Sequence, residues 1–408
     1  MKVNKKSWLA FGGLAVASIV LAGCAGSGTP AETEDGDASA ELTVWVDSER
    51  VDALQGAADS YSEKTGVKVD IVGKDNSTIK DDFIQQAPTG KGPDVVMGAH
   101  DWLGELSTNG VVAPIELGDT SEDYLPVALQ ASTYEGTTYM LPYAVENIAV
   151  LRNADIIPEA AASFDDMIAK GTAAGLATPF VVEQGVEGNP YHLYPFQTAF
   201  GAPVFGTDAD GSYDPTDLQI GNEGGFEFAN WLGVQGAAGT LNTDIDGDIA
   251  KTKFLEGEAA FWLTGPWNVS AATDAGINVA IDSIPSPTDA AAQPFAGVKG
   301  FFVSSESDNK VAANDFLVNY IGTEEVQLSL FEAGNVLPAL TAAADTAAAD
   351  PIVAGFQAVG ADAVPMPAIP AMGSVWQYWG IAEAAIINGA DPTSTWQKLT
   401  DDVSAAIQ

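Results

Sequence analysis

The chain has 408 residues, of which 56 are acidic and 16 basic, giving a formal net charge of −40. So negative a surface repels nucleic acid and anionic lipid headgroups and disfavours anionic ligands. A hydrophobic fraction of 46% is globular, so this is not a disordered acidic chain.

At the N-terminus, Lys2, Lys5 and Lys6 form a basic start, Trp8 to Ala22 an apolar run, and Leu21-Ala22-Gly23-Cys24 a lipobox. This order predicts a lipoprotein signal peptide over 1–23, too short for a stable span. Cys24 is the only cysteine, and its thiol is where a diacylglyceryl group attaches. Once it is lipidated, disulfides, cysteine zinc sites and cysteine nucleophiles are excluded. The protein is thus expected outside the cell, anchored to the outer face of the cell membrane. Residues 24–40, small and acidic, read as a flexible tether.

From Glu41 the pattern becomes periodic. ELTVWV (41–46), VKVDIV (67–72) and DVVMG (94–98) read as strands, with helices from Arg50 to Lys64, from Ile79 to Gln86 and from about Asp101. Strands alternating with helices predict a parallel α/β sheet. MLPYAVENIAVLRN (140–153) is a long extended run, followed by a helix at 163–173 and a strand at 178–183. Further strands are expected at 259–265, 277–285 and 300–305, and helices at 310–321, 323–333, 350–359, 374–388 and 394–407. TDADGSYD (207–214) carries an Asp-Gly hairpin turn. DIDGD (244–248) resembles the start of a calcium loop, but Ile249 and Leu255 stand where glycine and glutamate are needed. It reads instead as an acidic helix N-terminus.

Several chemistries are missing. Two histidines, His100 and His192, are too few for a histidine-rich metal site. There is no nucleophile elbow, zincin helix, P-loop or dinucleotide fingerprint. Neither metal nor cofactor is expected. What remains is a set of aromatic and planar charged residues at strand ends. A sugar ring stacks its C–H face on an aromatic ring, and its hydroxyl edge pairs with carboxylate or guanidinium. Tryptophans are more often core residues, so composition leaves each open between core and platform. Trp45, inside a strand, reads as core, and His100 as a structural partner at a strand end.

The ordered motifs narrow this. From about residue 41 to the C-terminus the chain resembles the maltose/maltodextrin-binding proteins of ABC importers. The likeness is carried by LTVWV, GPDVVMGAHDWLGELSTNGVVAPI (92–115), LPYAVENIAVLRN, NPYHLYPF (189–196), LTGPWNV (263–269), PFAGVKGFFVSS (294–305) and IPAMGSVWQYWGIAEAAIINGA (369–390). It implies a two-lobed α/β fold of the periplasmic-binding-protein type, with 41–145 and 300–342 in the N-terminal lobe and 146–299 and 343–408 in the C-terminal lobe. It implies crossing segments near 144–148 and 296–301, and sugar held between the lobes. By motif, Asp101 and Glu146 bond sugar hydroxyls, Glu49 and Arg50 match the family's acidic–basic pair, Tyr191 contacts sugar, and Trp267 and Trp376 stack on it.

There are departures. Gly98 stands where a family member has tryptophan, and Trp102 is a candidate replacement platform. Asn189 and Lys80 each stand where an acid is expected, and Trp379 competes with Trp376. The expected ligand is maltose or a maltodextrin, delivered by a monomer to permease subunits without catalysis. Another neutral oligosaccharide, such as a cyclodextrin or other glucoside, is the alternative. A surface glycosidase or a sensor or adhesin of the same fold are the rival classes.

Overall fold

The computed structural model describes residues 41–407, apart from 77, 209–211 and 335. The signal peptide, Cys24 and the tether lie outside the described residues. Glu41–Asp47 and Lys68–Lys74 pair in parallel, Glu41 opposite Lys68, joined by the helix Val51–Thr65. That helix stops at Gly66, which takes a left-handed φ of 76° that a β-carbon would disfavour. Val95–Ala99 adds in parallel on the other side of the first strand.

The first sheet is mixed rather than all parallel. The strand expected at 300–305 begins at Phe295 and runs to Ser304, antiparallel between Val95–Ala99 and Met140–Glu146. It enters from the second lobe, so its direction is set by where the chain returns and not by a local crossover helix. The order across the sheet is Leu337–Pro338, Met140–Glu146, Phe295–Ser304, Val95–Ala99, Glu41–Asp47, Lys68–Lys74. The central strands are buried on both faces, which is why they read as apolar runs without alternation.

A second sheet has the order Val279–Asp282, Ala149–Asn153, Phe261–Thr264, Phe180–Val182. The extended run at 140–153 therefore splits at Asn147 and Ile148 and serves both sheets. One apolar core draws on buried residues from Leu42 to Val145 and from Val298 to Ala343. The others draw on Ile148 to Phe295 and Phe356 to Val403. The result is the two-lobed solute-binding fold. Among the described residues no helix is long and apolar enough to cross a membrane.

Local chemistry fixes the second lobe's helices. Ser163, Asn222, Asp246 and Asp391 each accept a backbone N–H at a helix start. Asp246 belongs to the DIDGD stretch and bonds Ile249 N at 2.8 Å, so the stretch is a helix cap as expected. Phe205–Thr207 and Tyr213–Leu218 pair antiparallel across the expected hairpin. Arg152 fixes the edge of the second sheet: Nε and Nη2 donate to the Asp282 carboxylate at 2.6 and 3.1 Å, and Nη1 to Ile157 O at 2.7 Å.

Candidate ligand-binding cleft

Each wall of the cleft begins at a strand end. Val95–Ala99 runs into a short 3-10 turn, His100–Trp102, which presents Asp101 and Trp102. His100 beneath them is fully buried: Nδ1 accepts from Val298 N at 3.0 Å, leaving the proton on Nε2 to reach Met366 O at 3.1 Å. Burial holds its pKa below the usual value, so the imidazole stays neutral. His100 is thus the structural partner expected, tying the turn to the long strand and to the segment before the helix Ala371–Ile387.

Glu41–Asp47 ends in the acidic–basic pair. Arg50 is buried and pairs with Asp47 Oδ2 at 2.5 Å, while Glu49 points outward, 3.8 Å from the guanidinium. Trp45 is buried as core, with Lys74 Nζ 3.8 Å above its ring. Glu146 closes its strand and faces Lys299 Nζ at 3.5 Å. Sequence reasoning missed Lys299. The available signal was a single charge within FAGVKGFFVS, an otherwise apolar strand.

The opposite wall carries Trp267 on the 3-10 turn Pro266–Asn268, directly after Phe261–Thr264. Asn268 Nδ2 donates to Thr264 Oγ1 at 2.9 Å and clips the turn to the strand. Trp267 is 44% exposed, unusual for so large an apolar surface. It lines a cavity of about 560 Å³ together with Glu49, Arg50, Glu146 and Lys299 from the facing lobe. A second cavity of about 420 Å³ holds Asp101, Trp102, Lys80 and Glu105 on one side, and Ser374 and Trp376 on the other. Lys80 there forms a 2.9 Å ion pair with Glu105, which accounts for a lysine in place of the expected acid.

Tyr191 stacks on Phe295 at 6.3 Å and meets His192 edge-on at 5.5 Å. Burial first, then the Glu146 and Asp101 carboxylates, push its hydroxyl well above the usual phenol range. The hydroxyl therefore stays protonated. Asn189, the other departure, caps the helix Pro190–Ala199 by accepting from His192 N at 3.3 Å. His192 is buried, pulled down to about 4, and meets Trp267 edge-on at 6.5 Å.

One expectation is corrected. Trp379 is 0% exposed, T-shaped against Tyr194 and Phe295, and cannot offer a face to a ligand. Trp376, one turn earlier on the same helix, stacks on Trp379 at 5.4 Å and reaches the second cavity. Trp379 is the floor on which Trp376 rests. Glu49, Arg50, Asp101, Trp102, Glu146, Trp267 and Trp376 line these two cavities, whereas Tyr191 lines neither and packs against Phe295 and His192. No cluster of potential metal ligands occurs among the described residues.

A profile of the bacterial extracellular solute-binding proteins matches residues 56–355, and the chain belongs to that family. Among particular proteins, it is 28% identical to a galactooligosaccharide-binding protein of Bacillus subtilis, over 100% of this chain and 99% of that one. It is 27% identical to a maltooligosaccharide ABC transporter solute-binding lipoprotein of Streptococcus pneumoniae, over 91% and 90% of the two chains. The solved structure of a Thermus thermophilus maltotriose binding protein bound with maltotriose is similar at a TM-score of 0.77 and 30% identity, covering 90% of this chain and 100% of that one.

Proposed function

We propose that this protein captures maltodextrin-type α-glucans between its lobes and delivers them to the permease subunits of an ABC importer. The observation that carries the reading is the facing arrangement: Asp101, Trp102 and Glu146 on one wall, Trp267 and Trp376 on the other. Aromatic faces take the C–H side of each glucose, and carboxylates accept from paired hydroxyls. The pneumococcal and Thermus relatives support the choice of ligand. Binding without turnover fits a family of solute carriers.

A thermal-shift and calorimetric panel tests it. Maltotriose and maltotetraose should raise the melting temperature, because a ligand that binds only the folded state stabilises it by mass action. Cellobiose should not. A shift with galacto-oligosaccharides and none with maltotriose would overturn the assignment in favour of the second reading, which the Bacillus galactooligosaccharide-binding relative supports. Shortened products from a maltodextrin ladder would instead indicate a glycosidase.

The same reading places the protein on the outer face of the membrane, held by lipid on Cys24, as a monomer. Cys24→Ser should release it from the membrane fraction into the medium. A variant retained at parental level would refute the anchor.

A further inference from the structure

The two tryptophans that follow strand ends, one on each lobe, are both seated on glycines. A β-carbon built on Gly265 would overlap Cζ3, Cη2 and Cε3 of Trp267, and its three nearest neighbours are all in that ring. On the facing lobe a β-carbon on Gly98 would overlap Cε3 and Cζ3 of Trp102, with Phe302 Cε2 next at 3.2 Å. Neither glycine is there for its backbone. Gly265 has φ −100° and ψ 179°, extended geometry that any residue adopts. Gly98 lies within the strand Val95–Ala99 and has no positive φ. What glycine supplies in both places is bare backbone on which a ring can lie flat.

We propose that Gly265 and Gly98 are positioning residues of the binding site: each sets the height of a tryptophan platform in its cavity. The assignment rests on the sugar-binding reading of the cleft. At Gly265 the consequence is sharpest. Trp267 is partly exposed and held through the short Pro266–Asn268 turn and an edge contact with His192. When a methyl group is placed under the ring, the ring gives way and the strand does not. The platform is pushed into the 560 Å³ cavity, towards Glu146 and Lys299. The fold tolerates the change while the ligand does not. At Gly98 the neighbouring Phe302 belongs to the core, so a side chain there also strains the sheet. Gly98 also explains why the first-lobe platform is Trp102: the ring fills the space that a side chain at 98 would occupy.

The test is a double-mutant cycle on the full-length protein with Gly265→Ala, Trp267→Ala and the pair, using maltotriose calorimetry, near-ultraviolet circular dichroism without ligand, and thermal melting. Gly265→Ala should weaken maltotriose binding at least about tenfold, since hot-spot aromatics lose most of their contribution when displaced. It should alter the tryptophan dichroism without sugar and leave the melting temperature within a few degrees of the parent. In the Trp267→Ala background the same substitution should change neither affinity nor dichroism, because a glycine that acts through the ring has nothing left to displace. Unchanged dichroism, or a cost of equal size in both backgrounds, would overturn the proposal. If the dichroism cycle holds but neither Trp267→Ala nor Gly265→Ala alters maltotriose affinity, the seat stands and the sugar-platform role of Trp267 fails with the functional reading.

Discussion

Replacing Trp267 by alanine is expected to weaken maltotriose binding roughly 30-fold, equivalent to about 2 kcal/mol, with the fold intact. The expectation follows from position. Trp267 is the large aromatic left 44% exposed at the cleft, on a turn clipped by Asn268, facing Glu49, Arg50, Glu146 and Lys299 across the cavity. Removing it takes nothing from the cores, since the ring is absent from the buried clusters. The loss should therefore appear in the dissociation constant and not in thermal stability. Calorimetry that finds less than about a threefold change would return the ring to a packing role.

The second large effect separates two tryptophans three residues apart. Trp379→Ala should destabilise the protein by about 3–5 kcal/mol, because it empties a fully packed site between Tyr194, Phe295 and Trp376. It should lower affinity too, since Trp376 loses its support. Trp376→Ala should lower affinity with a much smaller change in melting temperature. Denaturation and calorimetry on both variants check this. Equal melting curves for the two would contradict the assignment of Trp379 to the floor and Trp376 to the cavity.

That distinction marks where the sequence stopped being informative. Helical spacing placed both rings near one face of Ala371–Ile387, and only packing against Phe295 and Tyr194 decides which ring is covered. The alternation of strands and helices was legible because each local run carried its own period. The mixed direction of the first sheet was not, since Phe295–Ser304 owes its place to a return from the other lobe. The helices Pro190–Ala199 and Glu223–Ala238 are not legible either. The first contains Pro195, and the second starts in Glu-Gly-Gly, both poor helical signals. Their caps, Asn189 and Asn222, stand in the sequence, but without a periodic run behind them they do not signal a helix start.

Of the site, motif order carried most. It led to Asp101, which lines one cavity, and to Glu146 and Trp267, which line the other, each from a separate element. Departures from the motif acquired physical reasons only in three dimensions. Asn189 caps a helix, Lys80 is neutralised by Glu105, and Gly98 makes room for Trp102. Lys299 shows the reverse case, a residue in plain view whose partner, Glu146, is far away in sequence.

The central claim is that sugar is held by both lobes at once. A ligand that touches both walls binds the closed arrangement better than the open one, and so shifts the population towards closure. The chain crosses between the cores at Asn147–Ile148, between Phe295 and Val298, and between the helices Thr341–Ala347 and Pro351–Gly360. A few residues at such crossings suffice to absorb a hinge motion. Small-angle X-ray scattering with and without saturating maltotriose tests this most directly. The account predicts a smaller radius of gyration in the loaded protein; an unchanged radius, with binding confirmed by calorimetry on the same sample, would contradict it.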